Sequence, residues 1–218
     1  NGGRRMIRRW GLALLCLLAA PAAAMAQALE DYDYENLTFR GLGLEYGWIW
    51  PTKVEPTAAY TLKADLGFLG PGVRIAPSFS YWSSRVNAEE LRRLADQLSA
   101  LGASVSPNDL GRIDWRDFSL TVDGQYVFGA ESRVMPYLGA GLGLHVFDGS
   151  GPAVDGTFIE DLLDSVTAGL NAVAGVEVAP AERFRIGVEV RYTLLDDIRY
   201  PEARIGASFA LPTNGGGV

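Results

Sequence analysis

Histidine, the side chain best suited to acid–base chemistry near neutral pH, occurs once in this chain, at position 145. Catalysis or zinc binding would need partners for it, such as a nearby nucleophile or further His and Cys ligands. Val146, Phe147 and Asp148 follow, no His-x-Ser arrangement exists, and the one cysteine, Cys16, lies in an apolar N-terminal run. We expect no catalysis, no cofactor and no metal. His145 is interpreted as a hydrogen-bonded filler, with a general-base role as the alternative.

A second candidate site is a set of charged residues. They occupy every second position in segments where apolar and polar residues alternate, and so would lie on the same face of each segment. Equal numbers of acids and bases facing an enclosed space would pair, because an uncompensated buried charge is costly. We therefore predict a charge network that fills the interior and leaves no wide pore, with packing alone as the simpler role. The seven acids are Glu45, Asp65, Asp117, Asp123, Glu177, Glu189 and Glu202, and the seven bases are Lys63, Arg74, Arg133, Arg183, Arg185, Arg191 and Arg204.

The elements that carry these residues alternate with period two. In the first, Leu44 and Tyr46 share an apolar parity, while Gly43 and Glu45 share the other. This pattern predicts a β-strand with one apolar face and one small or charged face. The glycines of the small face are interpreted as space for larger neighbours. Eight segments show the pattern, at 38–50, 60–68, 73–81, 117–128, 133–147, 166–178, 183–193 and 202–211.

An all-β chain of this kind could be a soluble sandwich or a membrane barrel. The lengths of the links favour the barrel, since tight links at 70–71, 129–132 and 180–181 alternate with longer ones at 51–57, 83–113, 148–164 and 195–201. Aromatic residues at the strand ends also favour it, because membrane barrels carry two interfacial girdles. One expected girdle holds Tyr46, Trp48, Trp50, Tyr60, Phe79, Tyr81, Phe118 and Tyr192, and the other holds Phe68, Tyr126, Phe128, Phe184 and Phe209.

Over residues 38–211 the chain resembles the small eight-stranded outer-membrane barrels of Gram-negative bacteria, the OmpA and OmpX type. In the last segment, Arg204, Gly206, Phe209 and Leu211 follow the polar-x-Gly-x-x-aromatic-x-hydrophobic pattern that outer-membrane assembly machinery reads in such proteins. The resemblance implies an antiparallel up-and-down transmembrane β-barrel in the outer membrane, with both termini in the periplasm. It also implies contact with lipid and lipopolysaccharide, and we expect a monomer.

The N-terminus is typical of an export signal. Four arginines precede an apolar run at 10–18, and Ala24-Met25-Ala26 predicts cleavage before Gln27. We expect a signal peptide over 1–26, a periplasmic segment over 27–37, the barrel over 38–211 and a tail over 212–218. Loss of residues 1–26 leaves 15 bases against 26 acids, a net charge of −11. This acidity argues against a nucleic-acid partner.

The longest link contains a predicted helix. Asn87 can cap it with Glu90 three residues on, and Gly102 can end it. The helix could cover the barrel mouth, lie among lipid headgroups or bind a partner, and a lid shielded by the 158–163 segment is the favoured interpretation. Its apolar stripe consists of Leu91, Leu94, Ala95, Leu98 and Leu101.

The later links are rich in acids, which could share divalent cations with lipopolysaccharide phosphates or simply be solvated. They are Asp148, Asp155, Glu160, Asp161, Asp164, Asp196 and Asp197.

Three functions are consistent with these patterns. The first is a non-catalytic barrel with a structural or surface-interaction role. The second is binding or passage of a small hydrophobic molecule, and the third is a lipid-modifying enzyme. An apolar interior pocket would favour the second, and a nucleophile with a base at the lipid face would favour the third.

Overall fold

The computed structural model describes residues 37–100, 106–130, 132–151 and 165–211, so the expected signal peptide, most of the N-terminal segment and the tail lie outside these ranges. Within them, neither helix is long and apolar enough to cross a membrane. The strands are β1 Gly41–Ile49, β2 Thr57–Asp65, β3 Val73–Arg85, β4 Asp114–Val127, β5 Val134–Ser150, β6 Ser165–Ala181, β7 Phe184–Leu194 and β8 Arg199–Ala210. The helices are α1 Ala88–Ala100 and α2 Pro107–Leu110.

The eight strands form a closed barrel. Each strand pairs antiparallel with the next, and β8 returns to pair with β1, where Leu44 lies opposite Ala207. The predicted up-and-down barrel is therefore confirmed. A two-sheet sandwich is excluded, because a sandwich has edge strands and this ring has none.

The two faces of the sheet follow the parity of the sequence. Leu44 is 70% exposed on the outer surface, whereas its neighbour Gly43 faces inward and is buried. The outer surface as a whole is a belt of exposed Leu, Val, Ile and aromatic side chains. An apolar belt of this extent is stable only where it faces hydrocarbon, so the barrel is built to sit in a membrane.

One expected girdle residue is not in a girdle. Phe68 is half-buried in the link after β2 and packs against an inner cluster that contains Val127 and Tyr137. The prediction for Phe68 is wrong because Gly67, with φ of 83°, ends the alternation before it. The other aromatic residues of both expected girdles lie on the outer face, and all except the half-buried Tyr81 are exposed.

The lengths of the links between strands agree only in part with the predicted alternation of tight and longer links. The end of the barrel at which β3 ends and β4 begins is here called the loop end, and the opposite end the turn end. The β6–β7 turn at the turn end is tight, as predicted, but it lies at 182–183 and not at 180–181, because β6 continues to Ala181. The β2–β3 link at the same end spans 66–72. The β7–β8 link at the loop end spans only 195–198, shorter than the predicted 195–201, because Arg199 already pairs with Leu194.

Strand length makes the barrel uneven at the loop end. β3 to β6 contain 13, 14, 17 and 17 residues, whereas β1 and β2 contain nine each. The four longer strands continue past the aromatic residues Tyr81 and Phe118, which lie opposite each other on β3 and β4. One side of the barrel therefore rises above the membrane belt as a wall.

Candidate functional site

The interior of the barrel, here called the bore, is lined by the inward parity of all eight strands. Its side chains are mostly charged, hydroxyl-bearing or glycine, and most are buried. Between the apolar clusters at its two ends, the charged side chains pair in layers. The layers are described below from the turn end upward.

Arg74 on β3 forms the lowest layer with Glu177 on β6, which lies three strands away in the ring. The guanidinium donates to both carboxylate oxygens, at 2.6 and 2.7 Å, and also to Oε1 of Gln125 at 3.1 and 2.7 Å. Arg185 extends this layer to Asp65 at 3.2 Å and to Glu177 at 3.8 Å. These contacts tie β2, β3, β4, β6 and β7 together across the bore.

Glu189 on β7 is the centre of the next layer. Its carboxylate accepts from Lys63 Nζ at 3.0 Å and from the Tyr137 hydroxyl at 2.8 Å. Arg191 lies 3.2 Å from the same carboxylate, and Arg204 lies 3.9 Å from it. Three cations and a hydroxyl thus compensate a carboxylate that is 2% exposed.

The same cations continue the network to other acids. Lys63 and Arg204 both reach Glu45, at 3.3 and 3.4 Å. Arg204 also pairs with Glu202 at 2.7 Å. Arg191 pairs with Asp123 on β4, on the far wall. The network therefore includes eleven of the fourteen predicted residues, namely Glu45, Lys63, Asp65, Arg74, Asp123, Glu177, Arg185, Glu189, Arg191, Glu202 and Arg204.

The expected balance of seven acids and seven bases is wrong. Arg133 and Arg183 are exposed at the turn end, one just before β5 and the other in the β6–β7 turn. The prediction fails because it continues the strand alternation one residue into each turn. In a turn, side chains no longer alternate between the two faces of the sheet. The described bore therefore holds seven acids against five arginines and lysines. Among these acids, Asp117 contacts His145 instead of an arginine or lysine.

His145 on β5 and Asp117 on β4 form a buried pair above the ion-pair layers. Nδ1 of His145 lies 2.8 Å from Oδ2 of Asp117, and the two side chains are 1% and 0% exposed. Phe147 stacks on the imidazole with ring centroids 6.1 Å apart. His145 thus has the hydrogen-bonded position expected of a filler, and it lies in the bore, away from the lipid-facing surface.

The glycines of the bore provide the room that the large side chains occupy. A Cβ added to Gly175 would lie 2.5 Å from the ring of Tyr137, and one added to Gly206 would lie 2.6 Å from Cγ of Glu45. Cβ atoms in proteins essentially never approach a non-bonded atom this closely. The small residues on the inward parity are therefore a steric requirement of the charge network.

An apolar cluster closes the bore at the loop end. Trp82 packs edge-on against Phe147 and Tyr200, with centroids 6.1 Å away in each case, and Trp115 lies 4.9 Å from Phe147. The sequence interpretation missed Trp82 and Trp115 because it ended β3 at residue 81 and began β4 at 117. Both keep the inward parity of their strands. This mouth cluster contains Ile49, Val54, Ala59, Trp82, Val86, Leu94, Ala95, Leu98, Leu110, Ile113, Trp115, Phe147, Ile198 and Tyr200.

The predicted helix covers this cluster, and α1 is here called the lid. Asn87 caps it as expected, since its Oδ1 accepts from the backbone N–H of Glu90 at 2.9 Å. Leu94 and Leu98 are buried in the mouth cluster, and Leu91 packs against it half-buried. Leu101, Gly102 and the 158–163 segment lie outside the described residues. Within the described ranges, the lid packs on a cluster contributed by strand ends, by α2 and by the β1–β2 and β7–β8 links.

The residues of the expected assembly signal lie on both faces of β8 and just after it. Arg204 and Gly206 face the bore, whereas Phe209 and Leu211 are exposed on the outer surface. The backbone N–H of Leu211 donates to the carbonyl of Arg40 at 2.7 Å. Arg204 therefore has a clear structural role, and recognition by assembly machinery stays a prediction.

The acidic links are only partly described. Asp148 pairs with Arg116 at 3.1 Å, and Asp197 lies 4.0 Å from Lys53. Asp196 is exposed. Asp155, Glu160, Asp161 and Asp164 lie outside the described residues. In the part that the structure describes, no three His, Cys, Asp or Glu side chains are placed to hold a metal ion.

Comparison with known proteins agrees with this geometry. Residues 12–210 match the family model of the outer membrane protein beta-barrel domain. Comparison with curated proteins gives no significant match. The fold is similar to Neisserial surface protein A, with 16% identity over 79% of this chain and 97% of that chain and a TM-score of 0.54. It is also similar to OprG of Pseudomonas aeruginosa, with 12% identity over 81% and 97% and a TM-score of 0.51. A third similar structure is the N-terminal β-barrel domain of OprF of Pseudomonas aeruginosa. It has 16% identity over 78% of this chain and 97% of that chain, and a TM-score of 0.50.

A closed eight-stranded barrel with an apolar outer belt and a charged bore defines a small transmembrane β-barrel. The chain belongs to the outer membrane protein beta-barrel family, because the family model covers most of its length. Its outer-membrane location, predicted from the sequence, is confirmed by that membership. The low identities to the solved structures show the fold alone.

Proposed function

We propose that this protein is a non-conducting, non-catalytic outer-membrane barrel with a structural and surface-interaction role. The observation that carries the proposal is the filled bore. Ion pairs join β3 to β6, β2 to β7 and β4 to β7, and a cavity of about 40 Å³ lies beside them. A cavity of this volume has room for only a few water molecules.

The two ends of the barrel support the same conclusion. At the loop end, the mouth cluster and the lid cover the bore with apolar side chains. At the turn end, Phe68 packs against the inner cluster around Tyr137. Passage of a hydrophobic molecule along the bore would have to displace buried ion pairs, which argues against passage by that route.

The position of His145 argues against a lipid-modifying enzyme. It is the only histidine in the chain, and it lies under Phe147 with Nδ1 held by Asp117. A base for acyl transfer must reach a substrate at the lipid-facing surface. His145 points into the closed bore instead.

The surface role rests on the wall formed by the long strands and on the lid above it. In the expected orientation, the loop end faces the outside of the cell and the turn end faces the periplasm. Arg92, Arg93 and Asp96 on the lid, and Asp196 in the β7–β8 link, are exposed at the loop end. These side chains would be available to an external partner.

Cysteine labelling in intact cells tests this orientation. After the expected cleavage before Gln27 the chain has no cysteine, so single substitutions report one site each. We expect Asp96→Cys to react with a membrane-impermeant maleimide on intact cells. The matched variant Glu182→Cys, in the β6–β7 turn, should react only after the outer membrane is opened. The reverse pattern, or equal labelling of both sites on intact cells, would contradict the proposed surface role.

A further inference from the structure

A cavity of about 440 Å³ lies at the loop end, beside the lid and above the charged bore. Its volume is within the range of small-molecule sites, about 300 to 1,000 Å³. One wall is apolar and consists of Leu94 on the lid, Ile113, Trp115, Phe147 and Ile198. Such a wall can take the apolar body of a ligand by ordinary burial.

The cavity borders a gap in the pairing of strands. β6 begins at Ser165, but its pairing with β7 begins only where Leu170 lies opposite Leu194. Within the described ranges, residues 165–169 therefore have no strand partner on that side. Val166, which is exposed on the outer face, and Thr167, on the inner face, both line the cavity. The cavity thus reaches the flank of the barrel between β6 and β7.

The rim of the cavity carries an excess of negative charge. Lys53 is the one base among its described lining residues, against Glu90, Asp196 and Asp197. Lys53 Nζ lies 3.5 Å from Glu90 and 4.0 Å from Asp197. Asp196 is exposed, and the described residues give it no ion pair. Arg93, which does not line the cavity, also lies 3.5 Å from Glu90. Among the described residues, Asp196 is therefore the rim acid without an ion pair, and Asp197 has only the 4.0 Å contact with Lys53.

We propose that this cavity binds a small hydrophobic cation, with an aromatic or branched alkyl body and a quaternary ammonium head. The apolar wall takes the body of the ligand. Asp196 and Asp197 attract the head, and they disfavour an anion of the same shape. The site lies outside the bore, so the proposal goes beyond the non-conducting role and does not depend on it.

Equilibrium dialysis tests the proposal with protein in phosphatidylcholine nanodiscs and with empty nanodiscs as the blank. The probe is phenyltrimethylammonium. Benzenesulfonate keeps the ring and reverses the charge, and tetramethylammonium keeps the charge and removes the ring. We expect the first probe to bind roughly tenfold or more tightly than either of the other two. No binding of phenyltrimethylammonium above the blank, or equal binding of benzenesulfonate, would overturn the proposal.

Two variants and a matched control locate the binding. Asp196→Asn with Asp197→Asn should weaken phenyltrimethylammonium binding by roughly fivefold to tenfold. Gln97→Trp, which places a ring at the cavity wall from an exposed position on the lid, should block it. The control, Asp96→Asn with Glu182→Gln, removes two exposed acids that do not line the cavity and should leave binding unchanged. Heat-resistant migration in detergent confirms folding of each variant. Wild-type affinity in the Asp196/Asp197 variant, or loss of affinity in the control, would contradict the assignment.

Discussion

Lys63 on β2 and Glu189 on β7 meet inside the barrel, with Nζ 3.0 Å from Oε2, although 126 positions separate them in the chain. The contact crosses the bore, because β1 and β8 lie between the two strands in the wall. Arg191, Arg204 and Tyr137 converge on the same carboxylate. The bore is therefore closed by charges that bind opposite walls to each other.

Glu189→Gln should strongly destabilise the barrel. Loss of the carboxylate leaves Lys63, Arg191 and Arg204 near one another with less compensation, and breaking a buried ion pair from one side costs about 3 to 5 kcal/mol. Urea unfolding in phosphatidylcholine vesicles measures the free energy of unfolding. The control Glu182→Gln removes an exposed acid and should change it by less than about 0.5 kcal/mol. Equal effects of the two substitutions would show that the network contributes nothing.

Gly175→Ala should destabilise the barrel through a steric conflict with Tyr137. The new methyl group would lie 2.5 Å from the ring, so the ring must shift and its hydrogen bond to Glu189 must lengthen. Overpacking of this kind costs about 1 to 3 kcal/mol. Gly124→Ala is the matched control, because its nearest neighbour atom is 3.9 Å from the new Cβ. The same unfolding assay compares them, and a tolerated Gly175→Ala would refute the steric role.

Leu94→Ser with Leu98→Ser should detach the lid and leave the barrel intact. Each buried leucine contributes roughly 1.5 to 3 kcal/mol, and both contact the mouth cluster. Trypsin cleavage at Arg92 and Arg93 should become faster, while heat resistance in detergent stays the same because the strands pair without the lid. The control, Asp96→Ser with Gln97→Ser, alters two exposed positions of the same helix and should not accelerate cleavage. Unchanged cleavage in the leucine variant would mean that the stripe does not hold the lid.

The barrel could be predicted from sequence because strand parity is a strong signal when one face contacts lipid. Leu44 and Tyr46 must face hydrocarbon, so Glu45 between them must face the bore. The same alternation decides which face each of the other residues of the strand occupies. Asn87 was predictable for a similar reason, since a cap and the residue that it contacts are three positions apart in the chain.

The positions where prediction failed are those where the strand ends. Arg133 and Arg183 lie one residue outside β5 and β7, and a turn does not keep the parity of the strand. Gly67 ends the alternation before Phe68 in the same way. The local sequence pattern also does not show how far a strand continues beyond the membrane. Trp82 and Trp115 were therefore not predicted to belong to the mouth cluster that closes the bore.

Which charged residues pair with each other within the bore could not be predicted from the sequence pattern, for a different reason. The alternation along each strand places Arg74 and Glu177 in the interior. That Arg74 pairs with Glu177 in particular depends on the stagger of β3 relative to β6 around the closed ring. That stagger is a property of the whole barrel. The set of inward charges was largely predictable, and their pairing was not.

Planar-bilayer recording of the purified wild-type protein tests the central claim, that paired charges close the bore. Because ion pairs cross the bore, a hydrated ion passing along it would have to displace buried charged side chains. We expect the current to stay at the level of a protein-free detergent control across the voltage range. Sustained large conductance from the folded, heat-resistant wild-type form would contradict the account.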